Sequence, residues 1–143
     1  MTTDNNGTAL AGQLVHRELT GKVIGAFFET YETLGFGFLE AVYRNALAVE
    51  LRKRGLHVQL EAPVAVVYKG VQVGRYRSDL LVEQCVTIEV KATSLLAPTA
   101  KRQLINCLVG SHLDVGLLLH YGPEPKFYRL VSPRVLRLGN QDP

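Results

Sequence analysis

The segment Val115–Tyr121 constrains the fold more than any other stretch of this chain. It reads Val-Gly-Leu-Leu-Leu-His-Tyr, is nearly continuously apolar, and stops at Gly122-Pro123. A run of that kind is a buried strand. Just before it, Ala100–Gly110 carries Leu104, Cys107 and Leu108 at helical spacing, and Pro98 stands where such a helix would begin. Upstream of that helix, Val73–Val82 and Val86–Val90 read as two strands joined by a short turn at Glu83-Gln84. Leu56–Leu60 and Val64–Tyr68 read as earlier strands, with Lys69-Gly70 as a turn, and Phe127–Val131 as a last one. A meander followed by a helical crossover implies a mixed sheet with helices packed on it, an α+β arrangement.

Two helices precede the strands. In His16–Leu34 the residues Val23, Ile24, Phe27, Phe28, Tyr31 and Leu34 recur at three- and four-residue steps, and Gly35-Phe36-Gly37 breaks the pattern. The second helix is expected over Phe38–Arg54, with Leu39, Val42, Ala46 and Val49 as its apolar side. Arg52, Lys53 and Arg54 suit its C-terminal end, and Gly55 is the stop.

A length of 143 residues is one domain. The expected boundaries are a loose tail over residues 1–13, a domain over 14–138, and a second tail over 139–143. The first twelve residues are polar and lack a basic region followed by an apolar one, unlike a secretion signal. No apolar run is long enough to span a bilayer, so no membrane partner is expected. Cys85 and Cys107 lie 22 positions apart inside apolar segments. That is neither a zinc spacing nor a disulfide framework, and free thiols suit a reducing cytoplasm. The net charge of +3 permits nucleic-acid binding without establishing it.

The sharpest chemical feature is Asp79, followed by Glu89-Val90-Lys91. Strand side chains alternate, so Glu89 and Lys91 point the same way, and a hairpin can bring Asp79 beside them. Two carboxylates held close repel each other and lose solvation. A divalent cation offsets both effects, and Mg²⁺ prefers such oxygen ligands. Lys91 could stabilise an attacking hydroxide or charge building on a phosphate. A solvated strand face with a Glu–Lys pair explains the same residues, so the spacing alone leaves both readings open. Glu40, Tyr43, Leu47 and Glu50 form one helix stripe, which suits either a helix bordering a cleft or a solvated surface with Glu50 paired to Arg54. Lys101-Arg102 offers either a phosphate contact or a solvated helix face. The four histidines show no metal spacing, and no phosphate-binding glycine loop is present.

Further motifs run in order along the chain. Gly37-Phe38-Leu39-Glu40-Ala41-Val42-Tyr43 has the form GxxExxY. It is followed by Arg54-Gly55, Gly74-x-Tyr76-x-x-Asp79-Leu80-Leu81-Val82, Ile88-Glu89-Val90-Lys91, Gln103-Leu104-Ile105-Asn106 and Gly116–Gly122. Over roughly Thr20 to Val131 the chain resembles the GxxExxY proteins of the PD-(D/E)XK nuclease superfamily. The resemblance implies a restriction-endonuclease-like core of helix, three-stranded meander, helix and strand. It implies a nuclease hydrolysing phosphodiester bonds in nucleic acid, DNA for preference, with Mg²⁺ as cofactor and Mn²⁺ as substitute. Asp79, Glu89 and Glu40 would be the metal ligands, and Lys91 and Gln103 would join them as catalytic residues. Two positions depart from the family pattern. Cys107 stands where the helix often carries a Tyr, and His120-Tyr121 where relatives usually show Asn-Phe. A homodimer would suit an enzyme that cuts both strands. The alternatives are a non-catalytic nucleic-acid-binding module and a protein-interaction module on the same fold.

Overall fold

The computed structural model describes residues 15–139, so the expected tails lie almost wholly outside the described residues. The elements run α1 (Arg17–Leu34), α2 (Glu40–Lys53), β1 (Val58–Tyr68), β2 (Val71–Val82), β3 (Val86–Lys91), α3 (Ala100–Gly110), β4 (Val115–Tyr121), β5 (Pro125–Val131) and α4 (Pro133–Gly139). The five strands lie in sequence order across one sheet. All neighbours are antiparallel except β3 and β4, which α3 connects in parallel. The mixed sheet expected from the sequence is therefore present, and β4 is buried at every position.

One face of the sheet packs on α1 and α2. Leu80, Val82, Ile88, Val90, Leu117 and Leu119 meet Val23, Phe27, Leu47 and Leu51 there. The other face packs on α3, where Leu81 meets Cys107 and Leu108, and Leu118 meets Leu104. Beneath α1 and α2, the rings of Tyr43 and Tyr121 stack at 4.2 Å, and Tyr121 shares a 2.7 Å hydrogen bond with Thr30. Aromatic pairs of this kind contribute about 0.5–1.5 kcal/mol beyond area burial.

Three expectations are corrected. Leu56–Leu60 and Val64–Tyr68 are not two strands; residues 58–68 form one, which reaches past Pro63 because β1 is an edge strand, where proline is tolerated. The apolar side expected for α2 is its outer side, with Leu39, Val42 and Val49 exposed. The helix carries apolar residues on two sides, and the stripe with the larger side chains, Tyr43, Leu47 and Leu51, takes the core. At the C-terminus, α4 was not anticipated. Arg134 anchors it, donating to the carbonyls of Leu108, Ser111 and Leu113 and pairing with Asp114 at 3.1 Å, so the α3–β4 turn is tied to the end of the fold.

A local reversal in β1 and β2 positions the site. Val58 and Leu60 face α1 and α2, whereas Ala62 and Val64 on the same strand pack under α3. In β2, Leu80 and Val82 face α1 and α2, whereas Tyr76 packs under α3. The register sets Leu60 opposite Leu80 and Ala62 opposite Ser78, so Glu61 and Asp79 sit at the turning point. Glu61 has φ 50°, in the left-handed region, and that backbone turn reverses the facing of the side chains beyond it.

Candidate active site

The ladder between β2 and β3 is short. It pairs Leu80 with Ile88, Leu81 with Thr87 and Val82 with Val86. Beyond it the strands diverge, and Asp79 fills the gap with its own side chain: Oδ2 accepts the Val90 N–H at 2.8 Å. This carboxylate takes the place of a strand carbonyl, which satisfies a backbone donor that the divergence would leave without a partner.

Glu89 follows on β3, on the α3 side of the sheet, and stands close enough to Asp79 for their carboxyl groups to share a hydrogen bond. Its Oε2 accepts the Tyr76 hydroxyl at 2.7 Å. Burial first and the Asp79 charge second push the Glu89 carboxyl up to about 7, while the Tyr76 bond and Lys91 pull the other way. The same surroundings raise the Tyr76 phenol, burial first and then its bond to Glu89. Cys107 on α3 belongs to this group: burial and the nearby Glu89 charge push its thiol up to about 11.

Glu40 opens α2 and reaches the site from the opposite layer. The side chain is exposed, yet the protein packed around it desolvates the carboxyl enough to raise its pKa. Asp79 adds to that rise, while Lys91 and Arg44 oppose it. Lys91 is thus within electrostatic reach of both Glu40 and Glu89. In the parallel ladder it lies opposite His120, whose ring bonds the Thr93 carbonyl at 2.6 Å and fixes the chain just beyond Lys91.

Asp79, Glu89, Glu40 and Lys91 are therefore neighbours, although they come from three elements. A family model described as the PD-(D/E)XK nuclease superfamily matches residues 17–130. The chain belongs to the PD-(D/E)XK nuclease superfamily. Members of the superfamily are generally nucleases, and they typically use divalent metals. No curated protein and no solved structure is significantly similar to the chain.

In this PD-(D/E)XK domain Gln103 is the expected site residue that stands apart. It is exposed on the first turn of α3, and no hydrogen bond joins its side chain to the carboxylates among the described residues. One turn further on, Cys107 packs in the cluster that holds Tyr76, within electrostatic reach of Glu89. Lys101 does not extend freely either, since its ammonium lies 3.9 Å over the Tyr128 ring. The Tyr43 hydroxyl is used away from the carboxylates. It donates to the Gly35 carbonyl and accepts the Phe38 N–H at 3.2 Å, so it holds the loop that leads into Glu40. Glu50 pairs with Arg54 at 2.8 Å, the helix-surface reading of that residue.

The residue that sequence reasoning missed is Tyr76. It lies in the Gly74-x-Tyr76-x-x-Asp79 stretch, but strict alternation puts positions 76 and 79 on opposite faces. The reversal at Glu61 and Asp79 cancels that alternation. The Ala62-Pro63 step next to Glu61 was the available hint of an irregular strand.

The donor set can be tested against a divalent cation by its chemistry. Two half-buried, adjacent carboxylates, one of them raised by desolvation first and by the charge of the other second, form a site that favours added positive charge. Among the described residues no three or more His, Cys, Asp or Glu side chains gather closely enough to hold a metal by themselves. Mg²⁺ does not require such a cage, because it is commonly bound by one or two carboxylates, waters and substrate phosphates. Asp79 and Glu89 fit that mode, with Glu40 standing further back.

Proposed function

We propose that this chain is a metal-dependent nuclease that hydrolyses phosphodiester bonds in nucleic acid, with DNA as the substrate class, and that it falls within the GxxExxY group of its superfamily. The observation that carries the reading is the Asp79–Glu89 pair: two carboxyl groups in hydrogen-bond contact, with Glu89 raised to about 7 by burial and by Asp79. A fold with no use for a cation gains nothing from that repulsion.

In this reading Asp79 and Glu89 would hold Mg²⁺, or Mn²⁺ in its place, with Glu40 adding negative charge within electrostatic reach of Asp79. When bound, such a cation lowers the pKa of a water and neutralises charge on the scissile phosphate. The residues of the chain supply the rest. Lys91 holds its ammonium within electrostatic reach of Glu40 and Glu89, where it would meet negative charge that grows in the transition state. The Val90 N–H keeps Asp79 aimed into the gap between β2 and β3. Gln103, exposed on α3 one turn before Cys107, contacts the substrate rather than the carboxylates.

The test is cleavage of duplex DNA, single-stranded DNA and RNA with Mg²⁺, with Mn²⁺ and with a chelator. Metal-dependent cleavage of a DNA form is the expected result. Equal inactivity on every form, with a folded protein that binds no metal, would remove the nuclease reading.

A further inference from the structure

The two carboxyl groups of the pair are held by donors of different kinds. Asp79 is held by a backbone N–H, which the strand itself fixes. Glu89 is held by a side chain, the Tyr76 hydroxyl at 2.7 Å. A glutamate side chain has three rotatable torsions, and β3 provides no backbone donor for its carboxyl group here. The direction of the Glu89 carboxyl therefore depends on where Tyr76 stands. That place is set by packing: the half-buried ring lies against the cluster of Ala62, Val64, Cys107 and Leu108 beneath α3. The ring sits there because the Glu61–Asp79 reversal turns this part of β2 toward α3.

The chemistry of the donor matters as much as its position. A phenol is neutral, so it satisfies one carboxylate oxygen without cancelling the charge of the pair. A lysine or arginine in the same place would fill the role of a cation. The hydroxyl orients Glu89 and leaves the negative charge of the pair available to a metal ion.

We infer that Tyr76 is the positioning residue of this site, fixing the Glu89 carboxyl for a hard divalent cation. The inference rests on the metal-dependent reading above. Tyr76 acts through Glu89 and does not touch the metal or the substrate. If the hydroxyl served only to satisfy a buried acid, its loss would alter stability and leave metal affinity unchanged. An outer-shell partner that orients a ligand typically contributes 10–100-fold to metal affinity or activity.

The test is Tyr76→Phe in the full chain. The variant keeps the ring against Ala62, Val64 and Leu108 and removes only the bond to Glu89. Mn²⁺ binding is measured by calorimetry on chelator-stripped protein, well below the unfolding transition, with near-ultraviolet circular dichroism to verify the packing. The expected result is Mn²⁺ affinity about 10–100-fold weaker than wild type with an unchanged spectrum. Excess Mn²⁺ should then return the cleavage rate of the variant close to that of wild type. Tyr76→Leu, which removes ring and hydroxyl, should lose the same affinity and also lose stability. If Tyr76→Phe binds Mn²⁺ as tightly as wild type, the inference is overturned and the metal-dependent reading stands. If the wild-type protein binds no Mn²⁺, the metal-dependent reading itself fails and takes the inference with it.

Discussion

Asp79 and Glu61 sit at matching positions on paired strands, and both strands exchange faces there. The backbone of Glu61 makes the turn at φ 50°, and the side chain of Asp79 closes the gap that opens on the other side of β2. A left-handed conformation costs an L-residue about 1–2 kcal/mol. Glu61 also pairs with Arg77 and, at 3.8 Å, with Arg44. Glu61→Gly and Glu61→Val both lose those exposed ion pairs, but only valine worsens the backbone strain. The valine variant should be less stable than the glycine variant by ~1–2 kcal/mol. Urea denaturation of the two measures the difference, and equal stabilities would remove the backbone from the explanation.

Asp79→Asn separates the charge of Asp79 from its hydrogen bond. The amide oxygen can still accept the Val90 N–H, while the repulsion with Glu89 disappears. At pH 8 without metal, the variant should be more stable than wild type by about 1 kcal/mol or more. It should also bind Mn²⁺ far more weakly. Asp79→Ala, which leaves the Val90 N–H without a partner, should instead be destabilised by ~1–3 kcal/mol. Thermal melts of the three proteins decide the order, and an Asn variant as unstable as the Ala variant would show that charge repulsion is unimportant here.

The raised Glu89 carboxyl sets a pH dependence with a definite sign. Below about pH 4.5 the group is protonated in both the folded and the unfolded chain. Between that value and about 7 the folded chain retains the proton while the unfolded chain has lost it, so rising pH favours unfolding. Glu40 shifts in the same direction. The metal-free protein should therefore lose stability from pH 5 to pH 8, by an amount on the order of a few kcal/mol from Glu89. Glu89→Gln should flatten that dependence. Mn²⁺ at pH 8 should restore stability to the wild type, since a ligand of the folded state alone stabilises it. Wild type and Glu89→Gln with parallel stability–pH curves would contradict the assignment.

Much of the fold was legible because its signals are local. The apolar run of β4, the helical spacing in α3 and the Glu83-Gln84 turn each constrain only a few residues. The pairing of Asp79 with Glu89 was legible too, since the hairpin is short and the register follows from it. The long-range features were not. The buried side of α2 could not be read because the helix is apolar on two sides, and only the presence of α1 and β4 selects Tyr43, Leu47 and Leu51. Tyr76 was hidden for a related reason. Period-two reasoning assumes an unbroken strand, and a single left-handed residue on the neighbouring strand undoes it. Cys107 was noticed as a departure from a family pattern, but its nearness to Glu89 depends on how α3 crosses the sheet.

The loop before α2 offers a test of how Glu40 is placed. The Tyr43 hydroxyl holds Gly35 and Phe38, so Tyr43→Phe frees that loop while keeping the stack on Tyr121. The expected cost is ~0.5–1.5 kcal/mol, because backbone groups that are only part-buried lose their partner. Hydrogen exchange at Phe38 should accelerate, whereas Mn²⁺ affinity should change little, since Asp79 and Glu89 are held independently. A large loss of Mn²⁺ affinity in this variant would mean that Glu40 is more central to the metal than the Asp79–Glu89 pair.

Lys91→Ala tests the central claim most directly. Lys91 lies two residues after Glu89 on the same strand face and within electrostatic reach of Glu40. Its charge counts for more in the transition state than in substrate binding. Single-turnover cleavage of the preferred DNA substrate with saturating Mg²⁺ should slow by ~10²-fold or more. Substrate affinity and the melting profile should stay close to wild type. A Lys91→Ala protein that cleaves at the wild-type rate would contradict the account.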